Sequence, residues 1–370
     1  MDALMDFTRR LLSWYDMNRR SLPWRGTGDI YRLWVSEVIL QQTRVEQGLS
    51  YYYRFLDAFP DVYSLAAASE EQVLRLWQGL GYYSRARNMH EAARDIVSRH
   101  SGNFPGNSRD LKKLKGVGDY TAAAIASIMF NEAVPAIDGN VCRVLARVYT
   151  VPHPLHTIKA TRTFTQLAGE LIPHDRPGDF NQAMMDFGSL ICKPNNPDCL
   201  NCFFNETCQA FQKNTVDQYP VRTKKLPVRD RFFTYLYIQP PSCRSNPVFF
   251  AHQRTSNDIW KHLFEFPLLE SQKELAEQEV LAHEGFTSLL SCHEAPVVRA
   301  LIRLRPHKLS HQRIHAQLFV LDAPECALAS LKDRFILTDL EHFEKMAKPK
   351  LVERFLHRLN SLYPRGSSEP

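Results

Sequence analysis

The chain has 370 residues, enough for two domains of ordinary size, with 44% apolar and 23% charged residues, as in soluble globular proteins. No apolar run reaches the roughly 18 residues that a membrane span needs, and the acid-bearing segment 1–16 fits neither a secretory signal nor a transit peptide. The net charge of +6 permits nucleic-acid binding without indicating it. We expect a bacterial cytoplasmic protein; a nuclear one stays open.

Residues 1–212 are predicted to form a mostly helical domain. Apolar residues recur at helical spacing over 30–48 and 85–99, and Ser69 with Gln72 gives a capping-box pattern at the start of another helix, 69–78. Residues 213–230 are polar and basic and contain two prolines, which is typical of a linker between domains.

Beyond the linker the pattern changes to strands. Residues 232–238, 248–250 and 314–320 are rich in aromatic or β-branched residues, or alternate apolar with other residues. A final helix is predicted to begin at Pro349 and to bury one apolar face, which contains Leu351, Val352, Phe355, Leu356 and Leu359. The sequence therefore predicts a smaller α+β domain over 231–365.

Residues 110–130 predict two helices joined by a tight turn at Gly116, Val117 and Gly118. Two glycines around one apolar residue allow a hairpin whose backbone N–H groups point outward at a helix N-terminus, where they can bind a phosphate. Most such glycine pairs form only turns. Leu111 and Leu114 favour the hairpin, because they supply an apolar staple for it.

Four cysteines lie within seventeen residues, at Cys192, Cys199, Cys202 and Cys208. Four thiolates at this spacing can hold one metal centre, either Zn²⁺ or an iron–sulfur cluster. The other four cysteines are isolated in the sequence, and we expect them to be small buried residues in a reducing compartment: Cys142, Cys243, Cys292 and Cys326.

Two acids are candidates for chemistry on a sugar. Asp138 ends an apolar run and precedes a predicted helix, so it should be an N-cap whose carboxylate stays ionised beside the helix terminus. Glu37 lies beside Val38 and Ile39, and partial burial would raise its pKa toward neutrality, as a proton donor requires. A solvated glutamate on a helix face is the commoner alternative.

The hairpin, the aspartate that follows it and the four-cysteine loop occur in the order seen in the endonuclease III superfamily of DNA glycosylases, which residues 15–212 resemble. Segment 33–43 is similar to the acid-bearing helix of the MutY adenine glycosylases. Residues 260–267 resemble the W-x-x-L-x-x-F-P signature of that family's Nudix-like module. The glutamate cluster of a catalytic Nudix helix is missing from the sequence, so nucleotide hydrolysis is not expected.

The resemblance implies that the protein, as a monomer, hydrolyses the N-glycosidic bond of adenine paired with 8-oxoguanine or guanine in double-stranded DNA, and that it carries a 4Fe–4S cluster on the four cysteines. Glu37 would protonate adenine and Asp138 would stabilise the sugar cation, directly or through a transient covalent adduct. Tyr120 occupies the position of the lysine in strand-cutting members, which implies a monofunctional enzyme. Tyr120 and Asn140 would help orient Asp138 and the intermediate.

The resemblance also assigns residues to the two bases. Leu309, Ser310 and His311 resemble the F-S-H loop of the family, with leucine in place of phenylalanine. The residues expected to border the adenine pocket are Arg20, Trp24, Arg25, Leu40 and Val45, and those near the opposite base are Gln42, Thr43, Leu80, Tyr82, Ser310 and His311.

Two alternatives stay open. A thymine or oxidised-pyrimidine glycosylase would share the helical fold, but the C-terminal domain argues against it. An iron–sulfur protein that binds DNA or transfers electrons without hydrolysis would leave the pair of acids, Glu37 and Asp138, without a role.

Overall fold

The computed structural model describes residues 2–223, 227–241 and 248–362, which form two compact units. The first unit comprises residues 1–68 and 87–225, and the second comprises 69–86 and 226–370. These units differ from the continuous domains that we predicted, because segment 69–86 bonds to the C-terminal part of the chain. The Gln78 side chain accepts a hydrogen bond from the Lys348 N–H at 3.2 Å, and Glu70 lies 2.5 Å from the His262 ring.

The first unit is helical, as predicted. The predicted helix 30–48 is interrupted, because Gln42 adopts a left-handed φ of 59° that ends the first helix. The helices of this unit, with α6 entering it at Arg87, are α1 (Asp2–Asn18), α2 (Ile30–Leu40), α3 (Val45–Ala58), α4 (Val62–Ala67), α6 (Ser84–His100), α7 (Ser108–Leu111), α8 (Asp119–Phe130), α9 (Gly139–Val148), α10 (Ile158–Leu171), α11 (Pro177–Leu190) and α12 (Gln209–Gln212).

Helix α11 contacts α1, α8 and α9 and is buried on most of its surface. Phe180 and Phe187 of α11 join Leu11 of α1 and Leu145 of α9 in one apolar core. This core fixes the N-terminus of α9, where Asp138 is the N-cap residue that the sequence predicted.

The second unit contains a five-stranded and a three-stranded sheet. In the larger sheet the order is β4-β1-β7-β5, with β6 also paired to β7; β1 and β7 are parallel, and the other described pairs are antiparallel. The smaller sheet has the order β3-β2-β8 and is antiparallel. The strands are β1 (Arg229–Gln239), β2 (Val248–Gln253), β3 (Phe264–Glu265), β4 (Leu268–Ser271), β5 (Val297–Arg303), β6 (His307–Lys308), β7 (Gln312–Asp322) and β8 (Ile336–Asp339).

Strand β1 is buried on both faces because successive side chains enter opposite cores. Tyr235 and Tyr237 pack in the core that contains the predicted apolar face of the terminal helix, whereas Leu236 and Ile238 pack in the other core. The α+β class is therefore confirmed. The helices of this unit are α5 (Glu70–Trp77), α13 (Glu277–Leu281), α14 (Glu284–Leu290), α15 (Leu328–Arg334), α16 (Leu340–Lys345) and α17 (Lys350–Leu362).

The prediction for the isolated cysteines was partly wrong. Cys292 and Cys326, 34 residues apart, have Cα atoms 5.9 Å apart and pair as a disulfide, and Cys326 is exposed. Their proximity depends on tertiary structure that spacing does not reveal. Cys142 is half-buried, and burial raises the pKa of its thiol to about 12. Cys243 lies outside the described residues.

Over the described ranges, no helix combines the length and the apolar character that crossing a membrane requires.

Candidate active site

The two predicted acids, Glu37 and Asp138, line one cavity of about 370 Å³ in the first unit. This volume falls in the range of small-molecule sites. The sequence-predicted residues that line the cavity are Arg20, Trp24, Arg25, Glu37, Leu40, Gln42, Val45, Tyr120 and Asp138. All five residues predicted for the adenine pocket are among them, and so is Gln42, which we expected near the opposite base.

Glu37 lies on α2 with only 8% of its surface exposed, so the solvated alternative does not hold. Burial raises the pKa of Glu37 to about 7. A hydrogen bond from Tyr120 and the charge of Arg25 oppose this increase, and the charge of Asp138 adds to it. The carboxyl group can therefore be protonated near neutral pH and can donate that proton.

Tyr120 lies in the first turn of α8 and bonds to Glu37. Its expected help in orienting Asp138 and the intermediate stays a prediction. Its hydroxyl oxygen is also 3.0 Å from the sulfur of Met185. Burial and the neighbouring carboxyl groups raise the pKa of Tyr120 well above its ordinary value, so the phenol stays protonated and can donate a hydrogen bond to Glu37.

Asp138 is held by the start of its own helix. One carboxylate oxygen accepts the Val141 N–H at 2.7 Å, and the other accepts the Asn140 side-chain amide at 2.7 Å. The positioning role predicted for Asn140 requires such a direct hydrogen bond to Asp138, and that role stays a prediction. Burial raises the pKa of Asp138 and these hydrogen bonds oppose that increase. The sequence argument considered only the helix terminus and missed the effect of burial.

Asp186 holds two arginines of the cavity lining, and the sequence analysis did not find it. It is fully buried on α11, and its carboxylate accepts hydrogen bonds from Arg25 at 2.7 and 3.0 Å and from the Arg20 Nε at 2.7 Å. Burial acts to raise the pKa of Asp186, but the hydrogen bonds and charges of the two arginines leave it below its ordinary value. One anion thus fixes two cations at the cavity wall.

The remaining cavity residues also lacked a sequence signal, because side chains of these types usually serve as packing or surface residues. They are Leu22, Leu33, Gln41, Ile128, Ile137, Gly139, Gln182 and Met185. Thr43 does not line the cavity. It lies in the turn between α2 and α3, where its N–H bonds to the Leu40 carbonyl at 3.2 Å.

The two glycines of the hairpin have different roles. Gly116 has a φ of +76°, and a Cβ there would lie 2.7 Å from the Cβ of Asn88. Gly118 caps α8 with an ordinary φ of −87° and open space around it. The Val117 N–H bonds to the Leu114 carbonyl at 3.1 Å, so it does not point outward as we expected. The open face at Gly118 and the start of α8 is what suits a phosphate.

The second unit contains four of the residues predicted near the opposite base. Three of them are exposed: Tyr82, Ser310 and His311. The Tyr82 hydroxyl is hydrogen-bonded to the Ser310 hydroxyl, although 228 residues separate them. Leu80, the fourth of these residues, is buried, and its place near the opposite base stays a prediction. Leu309 packs against the core, which accommodates leucine in place of the phenylalanine of the F-S-H pattern.

The four clustered cysteines line a second cavity of the first unit. Burial raises the pKa of Cys202 to about 11, and the other three thiols add to this increase because they lie nearby. In the described part of the chain, no three His, Cys, Asp or Glu side chains converge on a single ion. Arg147, which is 3% exposed, donates to the Cys192 sulfur at 3.4 Å and to the Lys193 carbonyl at 2.7 Å.

Comparisons with known proteins agree with this architecture. A protein-family model described as HhH-GPD superfamily base excision DNA repair protein matches residues 35–169, and the family model of the NUDIX domain matches residues 243–358. A thermostable thymine-DNA glycosylase has a TM-score of 0.53 at 26% identity, covering 57% of this chain and 97% of that one. A non-covalent endonuclease III–DNA complex has a TM-score of 0.50 at 20% identity. The match covers 57% of this chain and 97% of that one, and it shows the shared fold.

Curated relatives of similar sequence give a more specific comparison, because they are all adenine DNA glycosylases. The adenine DNA glycosylase of Mus musculus is 33% identical over 366 residues, 85% of this chain and 70% of the relative. The adenine DNA glycosylase of Buchnera aphidicola subsp. Schizaphis graminum (strain Sg) is 34% identical over 267 residues, which are 72% of this chain and 76% of that relative. That of Arabidopsis thaliana is 37% identical over 292 residues and 70% of this chain, which spans only 46% of that relative.

The fold and the site define a base excision DNA repair protein of the helix-hairpin-helix class. Within that class, the chain belongs to the family of adenine DNA glycosylases, and the membership predicted from the sequence is confirmed.

Proposed function

We propose that this protein releases adenine from double-stranded DNA where adenine is paired with 8-oxoguanine or guanine, and that it leaves the DNA strand intact. The observation that carries the proposal is a buried carboxyl group, Glu37, in the same cavity as Asp138; burial raises the pKa of Glu37 to about 7. A neutral acid beside a second carboxyl group suits cleavage of a glycosidic bond, since one group donates a proton and the other stabilises the cation.

In the proposed mechanism, adenine leaves the base stack and enters the cavity. Glu37 donates its proton to N7 of adenine while the bond between the base and C1′ breaks, and the bonding electrons leave with the base. Asp138 stabilises the oxocarbenium-like sugar. Water then adds to C1′ and its proton returns to Glu37, so the net reaction is hydrolysis. General acid catalysis of this kind typically contributes about 10²–10⁴-fold.

Tyr120 supports the proposal that the strand is left intact. Strand cutting through a Schiff base requires an amine at the sugar, and the side chain at this position is a phenol that keeps its proton and bonds to Glu37. The arrangement favours transfer of the sugar to water over transfer to the enzyme.

Tyr82 and Ser310 are proposed to contact the base opposite adenine. Both are exposed, and they are hydrogen-bonded to each other, which places an aromatic ring and a hydroxyl group side by side on the surface of the second unit. An aromatic ring can insert between bases, and a hydroxyl group can recognise a base edge.

The four cysteines are proposed to hold a 4Fe–4S cluster. Four thiols line one cavity, and only Cys199 and Cys202 have the short spacing typical of zinc sites, so the donor set fits a multinuclear cluster better than one tetrahedral Zn²⁺ ion. When bound, the cluster would tie residues 192–208 together, a structural contribution. A brown preparation that absorbs near about 400 nm is expected, and a colourless protein loaded with zinc would refute the assignment.

The test is an assay on duplexes that contain A:8-oxoguanine, A:G, A:T or T:G pairs, followed by denaturing electrophoresis with and without alkali. We expect cleavage only after alkali, and only for the first two duplexes. Cleavage of the T:G duplex alone would instead support the thymine glycosylase, which the likeness to the thermostable thymine-DNA glycosylase makes the second candidate. Strand cleavage without alkali would contradict the proposed role of Tyr120.

A further inference from the structure

Tyr82 presents a half-exposed aromatic ring from a constrained backbone. Its side chain is 50% exposed and its φ is +49°, directly after Gly81 at +76°. Residues other than glycine rarely adopt this left-handed conformation, and they keep it only where neighbouring contacts enforce it.

Two side chains supply such contacts at the same atom. The carbonyl oxygen of Gly81 accepts a hydrogen bond from the Trp77 indole N–H at 3.1 Å and another from the Arg85 guanidinium at 3.2 Å. Trp77 is fully buried, so it provides a fixed reference for the turn. The peptide directly before Tyr82 is therefore held from two sides.

Arg85 also contacts the ring of Tyr82. Its guanidinium carbon lies 5.1 Å from the centre of the Trp77 ring and 5.7 Å from the centre of the Tyr82 ring. Arg85 is only 8% exposed, and cation–π contacts are stronger when the cation is shielded from water. Burial lowers the pKa of Arg85 to about 10, so the cation persists at neutral pH.

We propose that Arg85 is a positioning residue for recognition of the base opposite adenine: its guanidinium holds the turn and the ring of Tyr82 in the exposed orientation that inserts into DNA. This inference rests on the proposed function. Lysine would keep the charge but would lose the planar surface and the paired N–H donors, so arginine and lysine are not equivalent here.

The test is a double-mutant cycle on the full chain with the A:8-oxoguanine duplex. The variants are Arg85→Met, Arg85→Lys, Tyr82→Ala and the combination of Arg85→Met with Tyr82→Ala. The measurements are the dissociation constant for a duplex with an uncleavable adenine analogue and the single-turnover rate of adenine release. Arg99→Met is the matched control, since Arg99 lies on α6 with Arg85 and its side chain is 77% exposed.

We expect Arg85→Met to weaken binding roughly tenfold and Arg99→Met to bind like the wild type. Once Tyr82 is alanine, Arg85→Met should cause no further loss of binding. Arg85→Lys should fall between Arg85→Met and the wild type. Equal losses from Arg85→Met with and without Tyr82 would overturn the inference, as would wild-type binding by Arg85→Met.

Two further results keep these failures separate. If Arg85→Met does not fold, as judged by its thermal melting, the same cycle with Arg85→Lys decides the question. If the wild-type protein releases no adenine from the duplex, the proposed function fails. Wild-type release together with additive losses refutes only the role of Arg85.

Discussion

Asp186 and Arg25 form a buried, two-pronged ion pair at the wall of the candidate active site. The two terminal nitrogens of Arg25 donate to the two Asp186 oxygens at 2.7 and 3.0 Å, although 161 residues separate them. Arg25 in turn acts on Glu37, since its charge lowers the pKa of that acid. Asp186 therefore moderates the positive charge that the proton donor experiences.

Asp186→Asn should lower the pKa of Glu37, because Arg25 and Arg20 would keep their charges without a compensating anion. The fraction of protonated Glu37 at neutral pH would fall, and the basic limb of the pH–rate profile would move to lower pH. Removing one partner of a buried pair should also cost about 3–5 kcal/mol of stability. The checks are single-turnover rates between pH 5.5 and 9 and urea unfolding.

Asp179→Asn is the matched control for this experiment. Asp179 is on the same helix but pairs with the partly exposed Arg176, so neither the profile nor the stability should change by much. An unshifted basic limb in Asp186→Asn would contradict the link from Asp186 through Arg25 to Glu37.

The wild-type rate should fall as pH rises above about 7. Glu37 must be protonated to act, and burial sets its pKa at about 7, so each further pH unit should lower the rate about tenfold. The measurement is adenine release under single-turnover conditions. A rate that stays constant from pH 6 to 9 would exclude Glu37 as the proton donor.

Glu37→Gln should stabilise the protein at high pH. The pKa of Glu37 is raised on folding from 4.5 to about 7, so its favourable contribution is present below pH 4.5 and is lost as pH rises through 7. The loss corresponds to at most about 3 kcal/mol at pH 8, since one pKa unit is about 1.4 kcal/mol. Glutamine avoids this loss and can still accept a hydrogen bond from Tyr120.

Urea unfolding at pH 4.5 and pH 8 measures this effect. Glu37→Gln should be more stable than wild type only at the higher pH, while the exposed Glu46→Gln should match wild type at both. Equal stability of Glu37→Gln and wild type at pH 8 would show that Glu37 is not buried as described.

Tyr120→Phe should move the basic limb to higher pH. The phenol bonds to Glu37 and lowers the pKa of that acid. Without the hydroxyl group, burial should raise the pKa of Glu37 further. The same pH–rate series tests this shift. A displacement to lower pH would mean that the hydroxyl group stabilises the protonated form of Glu37 instead.

Gly116→Ala should destabilise the hairpin and Gly118→Ala should not. Alanine at 116 would adopt a left-handed φ and place its Cβ against Asn88, at a cost of about 1–3 kcal/mol, whereas the space at 118 is open. Thermal melting of the two variants provides the comparison, with each serving as the control for the other. Equal melting temperatures would contradict this difference.

Local patterns predicted the parts of the site that depend on neighbouring residues. Asp138 could be identified as a helix N-cap because the apolar run before it and the helix after it are visible in the sequence. Val38 and Ile39 beside Glu37 indicated its burial, although the same pattern also allowed a solvated helix face. The strands of the second unit followed from their aromatic and β-branched composition.

Features that depend on distant contacts could not be predicted in this way. The partners of Asp186 are 161 and 166 residues away, and the contact between Cys292 and Cys326 depends on the tertiary structure of the second unit. Segment 69–86 has an ordinary helical pattern that does not reveal which unit it joins. Tyr120 was recognised by its position in the hairpin, but its bond to Glu37 depends on how α2 and α8 pack.

The most direct test of the central claim is the release of free adenine from an A:8-oxoguanine duplex, measured by chromatography for the wild type, Glu37→Gln and Asp138→Asn. The wild type should release one adenine per duplex at neutral pH, and both variants should bind the duplex but release adenine at least about 10²-fold more slowly. Turnover at the wild-type rate by either variant would contradict the roles assigned to these two acids.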